Sequence, residues 1–340
     1  MSLQSNKFAQ SNSDHLSDAD RIKPWLIETH GSLDAITSEH IYSFYSAMNP
    51  HMSAINPADV SRYLPSRPPE IKTSKPIGLI VETRQHPNLL PAILEVRQVL
   101  NISVHVFCSQ YNSSFLHSSA LSSYIADGTV YVSELGTDRI DRGTYSALMT
   151  NRDFWNHVMG RGKVLVFQTD AVLCRLSEFL LSDFYMFDYI GSGWGRYRPE
   201  GIVVDGGNGG LSLRDWSRTI ECIERFPPSN WRGGEDTYYC FHMDLIGKVA
   251  KNLESHKFGS QNNFLYKSLG AHKVDKMRPL KQLLFLIYCP EGSRIVSRKR
   301  LVKKNFAKLL RNLGMMLCLG FVQSYLRRRV YKKRKCKTMK

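Results

Sequence analysis

The sequence predicts an α/β domain with a mixed, mainly parallel sheet flanked by helices. Residues 77–82, 102–108 and 163–168 are short apolar runs of the kind that form buried strands. Residues 88–100 place their apolar side chains on one helical face. Strands that alternate with segments of helix length are typical of a parallel sheet covered by helices.

The charge distribution divides the chain into three parts. The formal net charge is +16, but 17 of the 46 Lys and Arg residues lie in residues 294–340, which hold no Asp or Glu. The first 293 residues therefore carry 29 basic residues against all 30 acidic ones. We predict a polar, partly disordered leader over 1–75 with one helix near 38–48, a folded domain over 76–276, and a basic, partly amphipathic helical tail over 277–340.

The cysteines and the N-terminus indicate synthesis in a reducing compartment. Seven cysteines are scattered without a C-x-x-C pair, so neither a disulfide framework nor a metal-type spacing is evident. Residues 1–21 are polar and lack the apolar stretch of a signal peptide or membrane anchor. We therefore expect a cytoplasmic protein.

A first candidate site lies where the predicted strands end. Asp170 follows one strand directly, and Glu82 and Arg84 follow another. Ligand sites of such sheets lie outside the carboxyl ends of the strands. Mg²⁺ or Mn²⁺ there would need only one or two protein ligands, with diphosphate oxygens and water completing its shell. An equally weighted alternative makes Asp170 the N-cap of a helix over 175–181.

A glycine-rich run over 206–210 leads directly into the alternating segment 211–214. Because glycine has no Cβ and tolerates positive φ, a ligand can lie against such a backbone. The alternative is a plain surface turn, but the position at a strand entrance favours function.

Two acidic residues, Glu235 and Asp236, open a helical stretch over 237–246. Acidic residues in a first helical turn are favoured by the helix dipole alone, which is the simpler explanation. The same dipole would keep them ionised, as a general base requires. His272 by itself is more often a structural histidine than a ligand, and only its company with Asp170 makes it a candidate.

Taken in order, these segments resemble a family of glycosyltransferase-like domains. The resemblance covers about 77–273 and runs through E-x-R, F-W, F-Q-T-D, D-Y-I-G-x-x-W, G-N-G-G-x-S-L-R, E-D and G-x-H-K, here at 82–84, 154–155, 167–170, 188–194, 207–214, 235–236 and 270–273. The loop 231–236, W-R-G-G-E-D, is also similar to the W-G-G-E-D loop of the β-1,4-galactosyltransferases, which are inverting enzymes of the GT-A type.

This resemblance implies a GT-A-like fold and a role for each matching residue. Asp236 would be the base that deprotonates the acceptor hydroxyl, and Glu235 would orient the acceptor. Asp170 would match the last Asp of the D-x-D metal motif, whose first Asp is Gln168 here, and His272 the late metal-binding histidine. Donor-binding residues would be Glu82, Arg84, Gln168, Thr169, Asp170, Asn208, Gly209 and Gly210, and acceptor-binding residues Trp194 and Trp231.

The implied activity is sugar transfer from a nucleotide-sugar donor, with a UDP-sugar favoured, to a hydroxyl of a glycan or glycoconjugate. Mn²⁺ or Mg²⁺ would assist, and an inverting route is favoured over a retaining one. Two alternatives stay open: a non-catalytic binding protein that keeps the nucleotide-sugar fold, and a metal-dependent hydrolase of a diphosphate linkage.

The basic tail contains a continuous apolar stretch of only ten residues, 313–322, whereas a spanning helix needs about 20. With basic clusters on both sides, it is typical of an interfacial helix on an anionic membrane. A helix packed on the domain and followed by a solvated charge run is weighted equally. Nucleic-acid binding is least favoured, because only Tyr325 and Tyr331 interleave with the basic residues.

Overall fold

The computed structural model describes residues 55–70, 72–194, 205–229 and 231–296, together with the isolated residues 28, 31, 32 and 35. Its helices and strands follow in chain order: β1 Ile77–Val81, α1 Leu89–Leu100, β2 Ser103–Ser109, α2 Gln110–His117, α3 Ser122–Ala126, β3 Val130–Leu135, α4 Arg142–Met149, α5 Arg152–His157, β4 Lys163–Phe167, β5 Ala171–Leu173, β6 Tyr189–Ser192, β7 Asn208–Asp215, α6 Trp216–Arg225, α7 Glu235–Ile246, α8 Asn252–Phe258, β8 Gly259–Ser260, β9 Gly270–His272 and α9 Pro279–Tyr288. Short 3₁₀ helices cover Ala58–Tyr63, Leu181–Phe184, Val274–Lys276 and Pro290–Ile295.

The central sheet has six strands in the order β3-β2-β1-β4-β7-β6. The first four run parallel, whereas β7 is antiparallel to both of its neighbours, β4 and β6. Apolar clusters cover both faces of the sheet. This arrangement confirms the predicted mixed, mainly parallel sheet flanked by helices, and it is consistent with a GT-A-like α/β fold.

Local patterns predict the main elements closely. The three predicted strands and the helix at 88–100 appear with their ends shifted by at most one residue. The predicted position of the glycine run at a strand entrance is confirmed, because β7 begins at Asn208. The alternative that made Asp170 a helix N-cap is wrong, since the chain continues into strand β5 and 175–181 is not a helix.

A second, smaller sheet has the order β5-β9-β8. β5 and β9 pair antiparallel, with Ala171 opposite His272. The short strand β8 pairs parallel to β9 on its other side. This small sheet returns the chain to the end of β4, which brings two distant motifs together.

The folded part extends beyond both predicted domain boundaries. Ile55 and Val60 are buried in the main core, and the Asn151 amide nitrogen donates to the carbonyl of Pro57 (2.9 Å). At the other end, Phe285 and Tyr288 of α9 are buried against the small sheet. Residues 55–70, 72–75 and 277–296 therefore belong to the folded unit. The predicted leader helix at 38–48 and the basic tail from 297 onward lie outside the described residues.

Neither a disulfide nor a membrane-spanning helix occurs in the part of the chain that the structure describes. Its five cysteines, Cys108, Cys174, Cys222, Cys240 and Cys289, are buried free thiols. None of its helices is both long and apolar enough to cross a bilayer.

We expect Phe285→Ala to destabilise the protein by about 3–5 kcal/mol, because the ring is fully buried and removal leaves a cavity. The ring centroid lies 5.5 Å from that of Phe264. The neighbouring Leu284 is 45% exposed, so Leu284→Ala should change the free energy of unfolding by only about 0.5 kcal/mol. Urea unfolding of both variants measures the difference, and equal effects would show that α9 does not pack as described.

Candidate functional site

The carboxylate of Asp170 meets the imidazole of His272 at the carboxyl edge of the central sheet. Asp170 Oδ1 lies 3.0 Å from His272 Nε2, and the carboxylate side chain is 39% exposed while the histidine is fully buried. Burial alone would raise the pKa of Asp170, but the hydrogen bond from His272 and the charges of His272 and Lys273 lower it overall. The pair therefore presents a negative charge to solvent, oriented from behind by a histidine.

Gln168 and Gly210 complete this half of the site. The Gln168 amide oxygen lies 3.3 Å from His272 Nε2, and the Gln168 backbone N–H donates to the carbonyl of Gly210 at 2.9 Å. A Cβ placed on Gly210 would lie only 2.2 Å from His272 Nε2. We expected these glycines to admit a ligand. In this structure the close approach is made by the protein's own side chains.

Asp236 lies at the start of α7 and connects to the same backbone. Its Oδ2 accepts a hydrogen bond from the Asn208 side-chain amide at 3.0 Å. The Asn208 side-chain oxygen in turn accepts from the N–H of Gly210 at 2.9 Å. Asn208 therefore bridges Asp236 to Gly210, beside which His272 lies, so the predicted metal and base residues are linked through the start of β7.

Burial controls the protonation of Asp236. Desolvation and the neighbouring charge of Glu235 raise its pKa from 3.8 to about 6, against the opposing backbone N–H groups of Thr237 and Gly209 and the charge of Arg142. The helix dipole predicts an ionised carboxylate, and with a pKa of about 6 Asp236 is still mainly ionised at neutral pH, although burial brings that pKa closer to neutrality. A base whose pKa is closer to neutrality is better matched to proton transfer at physiological pH.

Glu235 is engaged in a buried ion pair. Its Oε1 lies 3.1 Å from Arg214 Nη2, with side-chain exposures of 9% and 0%. The guanidinium of Arg214 also lies over the ring of Tyr239, 4.8 Å from its centroid. A Cβ on Gly209 would lie 2.1 Å from Glu235 Oε1, so the second glycine makes room for this pair. An acceptor-orienting role for Glu235 rests on the resemblance alone.

Glu82 and Arg84 occupy the end of the neighbouring strand β1. The Arg84 guanidinium donates to both carboxylate oxygens of Glu82, each at 2.8 Å, and the arginine side chain is 71% exposed. The side-chain amide of Asn112 donates to the carbonyls of both residues at 2.9 Å. This segment is therefore a hydrogen-bonded polar turn at the same sheet edge as Asp170, in which Glu82 is buried and Arg84 is exposed.

The two predicted acceptor-binding tryptophans lie in the interior. Trp231 is fully buried and donates from Nε1 to the Thr237 hydroxyl at 3.3 Å. Trp194 is 3% exposed and directly precedes residues 195–204, which lie outside the described part. Neither indole presents a face to solvent here, so an acceptor-binding role stays a prediction from the resemblance.

Three residues near the site were not predicted as site residues. Arg214 ends the alternating L-S-L-R segment, so its place on one face of β7 was open to inference. Arg142 and Tyr145 come from α4. The charge of Arg142 acts on Asp236, while burial and the charge of Glu235 raise the pKa of Tyr145. No local pattern marks these two, because only tertiary packing brings α4 to the site.

The side chains fit an open cation site and not a closed one. Asp170 offers an oxygen ligand, and His272 Nε2 offers a nitrogen ligand in the tautomer that carries the ring proton on Nδ1. The Gln168 amide oxygen lies beside them. Within the described residues, no cluster of three or more His, Cys, Asp or Glu could hold a metal. Mg²⁺ or Mn²⁺ bound together with a diphosphate needs only one or two protein ligands. His272 Nδ1 is buried without a hydrogen-bond partner, whereas metal-binding histidines usually have one there.

The fold and the site together define an α/β domain with an acid–histidine pair and a buried carboxylate at its sheet edge. Residues 132–273 match the model of a family described as "Protein of unknown function (DUF5672)". The match begins within β3 and ends at Lys273, so it includes Asp170, Asp236 and His272 but not Glu82. No curated protein matches this chain.

We expect Gly210→Ala to destabilise the protein by about 1–3 kcal/mol, because the added methyl group overlaps His272. Gly143 in α4 is the matched control, since a Cβ there would meet nothing closer than 3.5 Å. Alanine is the better helix former, so Gly143→Ala should be neutral or stabilising by up to about 1 kcal/mol. Urea unfolding compares the two, and equal losses would contradict the crowding at Gly210.

The raised pKa of Asp236 predicts a specific pH dependence of stability. The native carboxylate binds its proton more tightly than the unfolded chain, so its contribution to the free energy of unfolding falls as the pH rises from about 4 to about 6. Asp236→Asn removes this dependence. Relative to wild type, the free energy of unfolding of the variant should therefore rise by up to about 3 kcal/mol across that window. Its altered hydrogen bonds add an offset that does not change with pH.

Urea unfolding of both proteins at pH 4, 5, 6 and 7 measures this difference. Asp127→Asn is the control, because hydrogen bonds from Thr129 lower the pKa of this exposed carboxylate and keep its titration at low pH. Its difference from wild type should stay constant above pH 5. If the difference in the free energy of unfolding between Asp236→Asn and wild type also stays constant with pH, the pKa of Asp236 is not raised in the native protein.

Proposed function

We propose that this chain is a glycosyltransferase of the GT-A type, transferring a sugar from a nucleotide-sugar donor to a hydroxyl of a glycan or glycoconjugate. The observation that carries the proposal is the junction at the start of β7. There Asn208 bridges Asp236 to Gly210, and Gly210 contacts the His272 that holds Asp170. A cation-binding acid and a proton-accepting acid thus lie within one small region, as such a transfer requires.

The donor half of the site is assigned to Asp170 and His272, with Gln168 beside them. These residues would hold Mn²⁺ or Mg²⁺, which, when bound, stabilises the negative charge of a leaving diphosphate. Thr169 and the glycines of β7 line the same edge. Glu82 and Arg84 end the adjacent strand, where the exposed Arg84 guanidinium, held by the buried Glu82 carboxylate, suits the nucleoside of the donor, a UDP-sugar by preference.

The acceptor half depends on Asp236. With a pKa of about 6, its carboxylate is mainly ionised at neutral pH and accepts the proton of the attacking hydroxyl. General base catalysis of this kind contributes about 10²- to 10⁴-fold in rate. One base on the acceptor side and one cation on the donor side suit an inverting transfer.

The buried carboxylate favours an enzyme over a non-catalytic binding protein. A charge that is desolvated and placed beside a second carboxylate lowers stability, and perturbed groups of this kind concentrate at catalytic sites. Hydrolysis of a diphosphate linkage uses the same cation site, so turnover experiments must separate hydrolysis from transfer.

Thermal unfolding with UDP, GDP or CMP, each with and without Mn²⁺, tests the donor site. A ligand at 100 times its Kd stabilises the folded state by about 2.7 kcal/mol. We expect stabilisation by UDP that requires Mn²⁺ and that Asp170→Asn abolishes. Asp138→Asn, in an exposed loop, should respond like wild type. The absence of a Mn²⁺-dependent shift with all three nucleotides would refute the proposed donor site.

Turnover with a panel of nucleotide sugars, Mn²⁺ and an array of glycan acceptors tests the reaction. Asp236→Asn should reduce transfer by about 10²-fold or more, while the Mn²⁺-dependent shift by UDP persists. Nucleoside diphosphate release that is independent of acceptor would indicate a hydrolase. Nucleotide binding without any turnover would indicate a binding protein. If Asp236→Asn abolishes the Mn²⁺-dependent binding of the nucleotide, the assignment of Asp236 as the base is wrong.

A further inference from the structure

The backbone on both sides of Asp170 is held by a residue that lies far away in the sequence. Arg294 belongs to the 3₁₀ helix Pro290–Ile295, near the end of the described residues. Its Nη1 donates to the carbonyl of Thr169 at 3.3 Å, and its Nη2 donates to the carbonyl of Ala171 at 2.5 Å. These two residues flank Asp170, so a single guanidinium holds the carbonyl groups of the residues on either side of the acid.

A buried carboxylate holds this guanidinium in place. Glu95 of α1 lies 3.4 Å from Arg294 through both of its oxygens. The same carboxylate accepts the backbone N–H of Leu173, and its side chain is only 9% exposed. Glu95 therefore joins α1, the end of β5 and the C-terminal segment in one polar contact.

The opposite side of the turn is fixed by the backbone. The N–H of Lys273 donates to the carbonyl of Asp170 at 3.2 Å, and the N–H of Ala171 donates to the carbonyl of Gln168 at 2.9 Å. Backbone polar groups of this segment are thus satisfied by three separate parts of the fold. The Asp170 side chain is the acidic group of this segment, and it remains partly exposed to solvent.

We propose that Arg294 is a positioning residue that fixes the segment 168–173 and thereby holds Asp170 in the orientation in which it meets a cation-bound diphosphate. This inference rests on the proposed function. Functional groups must be held to within about 0.5 Å of their working geometry by a supporting shell. The planar fork of arginine can reach both carbonyls and Glu95 together, whereas the single ammonium of a lysine cannot.

Arg294 also lies beyond the stretch 132–273 that matches the family model. The segment that carries Asp170 therefore depends on a contact from outside the matched region. That contact belongs to the part of the chain that the sequence assigned to the basic tail.

Hydrogen exchange of the full-length protein, followed by mass spectrometry, tests the contact directly. Arg294→Lys keeps a positive charge beside Glu95, and it should speed exchange of the segment 168–173 by about fivefold or more while distant peptides exchange as before. Arg175→Lys is the matched control. It changes an arginine in the adjoining segment that is 50% exposed and lies 3.7 Å from Glu291, so its exchange should equal that of wild type.

Titration calorimetry with UDP and Mn²⁺ then tests whether Arg294 positions the site for ligand binding or only stabilises the backbone of the segment 168–173. Arg294→Lys should weaken the Mn²⁺-dependent binding of UDP by about tenfold or more, as loss of a supporting shell does, and Arg175→Lys should not. Unchanged exchange overturns the inference, and so does faster exchange with unchanged affinity. If wild type binds no UDP with Mn²⁺, the proposed function fails, and exchange alone decides whether Arg294 fixes this segment.

Discussion

The antiparallel pairing of β5 with β9 is the constraint on which the site depends. It sets Ala171 opposite His272 and so brings Asp170 within 3.0 Å of a histidine that lies about a hundred residues later in the chain. The same small sheet carries α9 and the segment of Arg294 on its outer side. A shift of one residue in this register would turn the histidine away from the acid, because neighbouring residues in a strand point to opposite faces.

Two adjacent glycines then allow two groups of charged side chains to share one strand end. Gly210 accommodates His272 and Gln168, while Gly209 accommodates Glu235 and Arg214. Glycine within a strand lowers stability through the conformational entropy it loses on folding. The buried pair of Glu235 and Arg214 is also a weak source of net stability, because both charges must be desolvated. The start of β7 therefore brings polar and charged side chains close together at a cost in stability.

Local sequence patterns predicted those features that depend on neighbouring residues only. The apolar runs gave β1, β2 and β4 nearly to the residue, and the start of α7 at Glu235 followed from the acidic pair after Gly234. The three-residue strands β5 and β9 were missed, since so short a segment carries no periodic signal. Arg294 and Tyr145 were missed for a related reason, because only long-range packing brings them to the site. Burial of Asp236, which raises its pKa, likewise depends on the whole fold.

The two aspartates of the site differ in their pKa values, and this difference suits them to different chemical roles. Asp170 has a lowered pKa because a histidine and a lysine favour its charge, and it therefore stays anionic throughout the physiological range, as the proposed cation ligand would have to. Asp236 is desolvated beside Glu235, which raises its pKa to about 6, where a carboxylate can accept and release a proton near neutral pH. Environments that push the pKa values of neighbouring acids apart assign them different tasks. A site with one permanent anion and one exchangeable proton is suited to a reaction in which negative charge develops at one end and a hydroxyl loses its proton at the other.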